Sequence, residues 1–556
     1  MKKFHFAIMA LLVMSLSTVV FAQENTREKG LEAITKEAVQ GQLQFLASDW
    51  TQGRATGMPG EYIAADYIAS MFKIYGLQPG GDVVETKISF REEMEGKKPE
   101  KYRIYFQNID FVEYSNGANN EFSISSGTGA PTYYFNYKTD YWVRSSDVGI
   151  EINAPVVFAG YGYVNKEHGY DDFKGVDVKN KIILCLSGYP GYSDTTSKAY
   201  KAFTKRDDRE PWRRQQDNKD RIAREKGALA IIEVDPTSDP TEDWAANLPF
   251  RYNTRMYEGD KAPSTFFDAR MKIPGDTVPY DPTTIYISKR VLNELVNGTG
   301  INIGQFAEEV KNTLKPAPKE IPGKKIHIKT TVNSRIVKSR NVIGMIPGKD
   351  TNNFVVIGGH YDHIGTYNGI VWNGADDNAS GTVGVMTIAK AFMASGIKPE
   401  KTIVFCAWTG EEKGLLGSTY FVDRLPFPAK NVSMYLNYDM ISRDDADDTL
   451  GIKCRLMYTE GYKSFENNTK KYNENYNYGL DITYRASSRP EGGSDHTPFA
   501  QKGIPIMYYM AGLPVQYHQA DDHVELVNWD KMVKIIKLGY LSVWDAVNGE
   551  VKKEGE

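Results

Sequence analysis

Through the second half of the chain, short apolar runs are each cut off by a polar cluster. Phe354 to Ile357, Thr402 to Trp408 and Met434 to Tyr438 are continuous enough to be strands buried on both faces. Between them, Ala379 to Ala394 and Leu415 to Arg424 carry helical spacing. Strand and helix in alternation predict an α/β fold with a mostly parallel central sheet and helices on both faces. Upstream, Ile63, Tyr67, Met71 and Tyr75 recur every fourth residue and Gly76 follows as a stop, so Gly60 to Tyr75 is predicted as an amphipathic helix. Asp530 to Val547 closes the chain with another, after a strand at Ile504 to Met510.

The middle of the chain reads differently. From Asp82 to Ile152 it is rich in Tyr, Phe, Ser, Asn and Gly with short alternating runs, which predicts a β-rich linker. Pro155 to Tyr163, Lys181 to Leu186, a helix over Asp217 to Lys226, and Ala228 to Val234 then form a strand, strand, helix, strand series. Thr283 to Val296 adds a strand and a helix opened by Ser288. The charged stretch from Lys201 to Arg214 mixes both signs and reads as a solvated loop. Alternating strands at Ile326 to Val332 and Arg340 to Ile346 lead back through Pro347-Gly348. The reading is one α/β domain in two pieces, 23–85 and 335–556, interrupted by a linker and inserted domain over 86–334 with its core at about 150–300.

Met1 to Gln23 has a basic start at Lys2 and Lys3, an apolar stretch from Phe4 to Val20 and small residues at the exit, the pattern of a secretory signal peptide cut after Ala22. The apolar stretch falls short of the roughly 20 residues of a membrane span. A periplasmic or secreted protein without stable membrane insertion is expected. The net charge of -4 shows no basic excess to suggest nucleic acid, leaving a small or peptidic partner. Cys185, Cys406 and Cys454 are too few and too scattered for a disulfide framework. The sequence is silent on oligomeric state.

The polar clusters carry the chemistry. G-G-H-Y-D-H (Gly358 to His363), N-G-A-D-D-N-A-S-G (Asn373 to Gly381), T-G-E-E-K-G-L-L-G-S (Thr409 to Ser418) and N-Y-D-M (Asn437 to Met440) gather past the strands, where α/β sheets collect ligands. Zinc takes imidazole nitrogen and carboxylate oxygen, and two ions about 3.5–4 Å apart can clamp the attacking and departing oxygens of a hydrolysis. His360 and His518 with Asp376, Glu412 and Asp439 supply such a set. Glu411, beside a ligand, is the candidate general base. Asp362, two residues from His360, is placed to fix its tautomer. Tyr517 and His496 are candidate donors to a developing oxyanion.

These residues resemble the co-catalytic zinc peptidases, a family that includes bacterial leucine aminopeptidases, glutamate carboxypeptidase and, as non-catalytic kin, the transferrin receptor. The resemblance spans Asn341 to Asp522 and the G-R-x-x-G-x-x-G-x-x-x-A pattern at Gly53 to Ala64. It implies two zinc ions per chain, with Asp376 bridging, His360 and Asp439 on one ion, Glu412 and His518 on the other, and Glu411 as base. It further implies a cis peptide at Asp376-Asp377 and a protease-associated domain from Ala154 to about Val296. Related aminopeptidases often place Arg before the Ser-Asp seen here at Ser494-Asp495, where this chain has Gly493; Arg489, Asp495 and His496 are the substrate-binding candidates. An aminopeptidase acting on peptides is expected. Alternatives are a carboxypeptidase or dipeptidase, a glutaminyl-cyclase-like acyltransferase using one zinc, and a receptor-like binding protein.

Overall fold

The computed structural model describes residues 26–127, 129–144, 146–204, 211–234, 269–276, 283–367, 369–490, 492–549 and 551–555, with side chains omitted for 211–217 and 367. The leader lies outside them, as does much of the Lys201 to Arg214 stretch. Two compact units emerge, one running to Phe111 and resuming at Val337, the other formed between Val112 and Ile336.

The first unit is built on a mixed sheet. Among its ten described strands are β1 (Val332–Ile346), β2 (Asp350–His360), β3 (Lys401–Trp408), β4 (Val432–Tyr438), β5 (Lys453–Thr459), β6 (Asp481–Ser487) and β7 (Ile506–Met510). Their spatial order is β1-β3-β2-β4-β7-β5-β6. The centre is parallel, β3 with β2, β2 with β4 and β4 with β7, whereas β1 and β5 pair antiparallel to their neighbours β3 and β7. Central strands covered on both faces have no polar side to alternate with, which is why β3 and β4 read as mostly apolar runs without alternation.

Helices cover the sheet: α1 (Lys36–Leu46), α2 (Pro59–Tyr75), α3 (Gly381–Ser395), α4 (Leu416–Asp423), α5 (Ser464–Asn475), α6 (His496–Gln501) and α7 (Trp529–Asn548). Pro59 opens α2, where its missing N–H costs nothing, and Gly76 at φ 91 closes it. The Gly358 just before the His360 segment has a packing reason. A Cβ there would come within 2.4 Å of Trp408 Nε1 and 2.6 Å of the Tyr435 hydroxyl, which bond to each other at 2.9 Å.

In the second unit an eight-stranded sheet has a parallel centre, Glu151–Phe158, Ile182–Leu186, Ala230–Val234 and Thr283–Ile287 in that order. Ser288 caps the next helix through Val291 N, as its sequence predicts. The stretch read as linker is not one. Glu121–Ser125, Thr132–Phe135 and Tyr141–Val143 are strands of this sheet, and Phe122, Ile124, Phe135 and Tyr141 lie in its core. Their tyrosines and phenylalanines alternate in runs too short to betray a buried face. All three cysteines are free and buried. Among the described residues no helix is long and apolar enough to cross a membrane.

Candidate metal centre

Strand β2 ends at His360, the turn after β3 holds Glu411 and Glu412, β4 runs into Asp439, and the stretch before α3 holds Asp376 and Asp377. Between β7 and α7, a loop brings in His518, at φ 58. Arg54, fully buried, braces the arrangement from behind: its guanidinium donates to the carbonyls of Leu46 at 2.5 Å, Tyr361 at 2.7 Å, Asn373 at 2.7 Å and Gly374 at 2.9 Å. Asp522 clamps the Asp376 loop, its carboxylate accepting the backbone N–H of Asp376 at 3.0 Å and of Asp377 at 3.1 Å.

Two donor sets meet at Asp377. In the first, His360 Nε2 lies 3.4 Å from Asp377 Oδ1 and 3.5 Å from Asp439 Oδ1. In the second, His518 Nε2 lies 2.9 Å from Asp377 Oδ2 and 3.2 Å from Glu412 Oε2. Zinc bonds of about 2.0–2.2 Å in a tetrahedron hold their donors about 3.3–3.6 Å apart, so the first set has the right span and the second is slightly contracted. His360 Nδ1 lies 3.1 Å from the Asp362 carbonyl, which leaves Nε2 free with its lone pair toward the carboxylates. Glu411 Oε2 sits 3.9 Å from the same Nε2.

The donor chemistry fits metal ions. Asp439 Oδ1 and Asp377 Oδ2 are buried without a hydrogen bond, though each faces an imidazole. So dense a group of buried carboxylates is costly unless cations offset it. The cost appears in their protonation: burial pushes Glu411 well above the ordinary carboxyl range, helped by the neighbouring charges of Glu412, Asp495 and Asp439. Burial also pushes Asp495 up to about 7.

The structure gathers most of the expected residues and corrects several of the parts expected of them. Asp376 does not bridge: its Oδ1 accepts from the Ser442 N–H and hydroxyl, both at 2.8 Å, and the next carboxylate, Asp377, stands between the donor sets. The cis peptide is correspondingly Asp377–Asn378, one residue beyond the expected bond. The Asp362 carboxylate reaches only 3.8 Å from His360 Nδ1; it accepts instead from the Glu411 N–H at 3.1 Å and the Thr56 hydroxyl at 2.9 Å, fixing the base's backbone. Tyr517 lies at the cluster, partly exposed, with its ring stacked on His518 at 3.8 Å. Burial, with the charges of Asp377, Glu412 and Glu411, holds its hydroxyl protonated far above the usual range.

Of the remaining candidates, Asp495 is buried near His360, Asp439 and Asp362. His496 is fully buried against Tyr508, ring centroids 4.5 Å apart, and burial pushes its imidazole down to about 3, so it fits a packed neutral ring better than a pocket donor. Arg489 is exposed past β6, and no contact among the described residues joins its side chain to the cluster. His363 was missed: its Nδ1 lies 2.8 Å from Glu412 Oε1. The only signal was a second histidine three residues after the first.

Comparison with known proteins bears on the family and the fold. Residues 341–540 match Peptidase family M28. The chain is 33% identical over 169 residues to leupeptin-inactivating enzyme 1 of Streptomyces exfoliatus, covering 30% of this chain and 34% of that protein. It is 44% identical over 170 residues to leucine aminopeptidase 2 of Trichophyton equinum, covering 30% and 32%. The chain thus spans about a third of the length of these curated relatives. In fold it is similar to the aminopeptidase from Aneurinibacillus sp. strain AM-1, with a TM-score of 0.54 at 19% identity over 95% of this chain and 98% of that one. The segment that matches Peptidase family M28, Asn341 to Tyr540, carries every one of the candidate ligands and the candidate base.

Proposed function

We propose that the protein is an exported zinc exopeptidase that removes amino-terminal residues from peptides with two metal ions and a glutamate base. The observation that carries this reading is the pair of donor sets sharing Asp377, His360 with Asp439 and His518 with Glu412, with Glu411 beside them. His360 and Asp439 would hold one ion, His518 and Glu412 the other, and Asp377 would give one carboxylate oxygen to each. Zinc there would polarise the scissile carbonyl and acidify the attacking water. Glu411, whose carboxyl burial makes more basic, in its ionised form takes the proton of that water and returns it to the leaving amine. Tyr517, kept protonated, donates to the oxygen on which charge develops, an effect of about 3–4 kcal/mol for a well-aimed donor. The carboxylates of Glu411 and Asp439 are acceptors for the substrate's free amine.

The pattern of Met1 to Ala22 supports export, and the strand, strand, helix, strand series supports a protease-associated domain for the second unit. The name of leucine aminopeptidase 2, the more identical of the two relatives described above, favours the amino end. The test is a panel of peptides, free and amino-acetylated, with the products identified. Release of the first residue from free peptides, with acetylated ones spared, is expected. Equal cleavage of acetylated peptides, or release of the carboxyl-terminal residue, would overturn the amino-end assignment.

A further inference from the structure

The second donor set contains an imidazole with no assigned part in it. His363 is fully buried. Its Nδ1 lies 2.8 Å from Glu412 Oε1 but 3.9 Å from the nearer Asp377 oxygen. The other Glu412 oxygen, Oε2, is the one 3.2 Å from His518 Nε2, so the carboxylate is divided, one oxygen toward each histidine. The His363 ring also packs edge-on against that of His518, centroids 5.8 Å apart at 67°. Its neighbours are shaped to seat it. The His363 backbone N–H donates to the Arg54 carbonyl at 3.1 Å. Gly374 stands at φ 55, and a Cβ there would fall 2.4 Å from His363 Cδ2 and 2.6 Å from Cγ, so any larger residue would displace the ring.

We propose that His363 is a positioning residue for the second metal: its Nδ1–H holds Glu412 Oε1 and thereby turns Oε2 alone toward His518 and Asp377. This rests on the two-metal reading. A free carboxylate can rotate between one-oxygen and two-oxygen binding, and a fixed donor on one oxygen removes that freedom, which is how outer hydrogen bonds raise affinity at metal sites. The alternative is that His363 replaces His518 as the imidazole ligand of the second ion. His363, Asp377 and Glu412 lie within metal-binding reach of one another, but His363 Nδ1 is at hydrogen-bond distance from Glu412 Oε1 alone, whereas His518 Nε2 stands close to both carboxylates, at 2.9 and 3.2 Å, which disfavours that exchange.

The test is zinc titration of the full chain against a competing chelator. The parent should take up two ions. His363→Phe, which keeps a ring but has no donor, should weaken the second ion about 10- to 100-fold while leaving the first unchanged. His363→Asn, whose amide nitrogen falls near the place of Nδ1, should recover most of that loss. The chelated variants should melt close to the chelated parent, which separates positioning from a purely structural role. Parental affinity for the second ion in His363→Phe would overturn the proposal, as would failure of His363→Asn to recover it, which would make His363 a ligand. If His363→Phe does not fold, His363→Ala replaces it as the donorless variant and the same comparison decides. A parent that binds fewer than two zinc ions overturns the two-metal reading, and this proposal with it.

Discussion

Glu411 and Glu412 are adjacent in sequence, yet their surroundings push their carboxyls in opposite directions. Burial raises both; for Glu412 it is outweighed by His518 and His363, which hold it well below the ordinary range, whereas His360 does not outweigh it for Glu411. One is suited to stay ionised beside a cation and the other to exchange a proton. Glu411→Gln should therefore keep its zinc and lose about 10²- to 10⁴-fold in kcat, and Glu412→Gln should lose zinc first; metal analysis beside turnover checks both. Glu61 gives a prediction outside the centre. It is buried on α2, accepts from the Ser339 hydroxyl at 2.8 Å and the Gly57 N–H at 2.5 Å, and contacts the Thr409 hydroxyl. Burial, with the charge of Asp362, pushes it up to about 8. A carboxyl whose folded value lies above its unfolded one binds the proton more tightly when folded, so its stabilisation is complete below about pH 4.5 and is lost as pH rises through about 8. Glu61→Gln, which mimics the protonated form, should flatten Tm against pH across that window. An unchanged slope would assign the pH dependence elsewhere.

At the scale of elements, helix α7 is fitted to β4 at one glycine. A Cβ on Gly539 would fall 1.6 Å from the Tyr438 hydroxyl, which donates to the Ile535 carbonyl at 3.1 Å. Helix propensity alone makes Gly→Ala stabilising by about 1 kcal/mol. Here overpacking of about 1–3 kcal/mol or more wins, and because Tyr438 precedes Asp439, Gly539→Ala should lower both Tm and zinc affinity, measurable by calorimetry with and without zinc. Helices of this kind were legible because their apolar residues recur at helical spacing over many turns: α2, α3 and α7 lie within about two residues of their predicted ends. The ligand loops were less so. A helix or strand has a period that fixes which side chain faces where, but the stretch from Gly374 at φ 55 to Asp377 at φ -103, ψ 100 has none. Sequence could place an Asp-Asp pair at the site without deciding that Asp377 faces the histidines and Asp376 faces Ser442. His363 was hidden for the same reason, its seat being made by Arg54 and Gly374.

For the molecule as a whole, stability and chemistry share the same ions. A centre whose carboxylates repel one another without cations should be stabilised by anything that binds the folded state alone, by RT ln(1 + [L]/Kd). Chelation should lower the Tm of the first unit's transition, and added zinc should restore it in a concentration-dependent way, followed by scanning calorimetry. The second unit has its own core and holds no candidate metal cluster among its described residues, so its transition should not move. The central claim is that Asp377 joins two metal sites in one active centre. The most direct measurement is the zinc content of purified, peptide-cleaving protein beside that of Asp377→Ala. Two ions per chain in the parent, with both lost or greatly weakened in the variant while the fold is retained, is the predicted result; one ion or none in active parent, or two still tightly held by the variant, would contradict it.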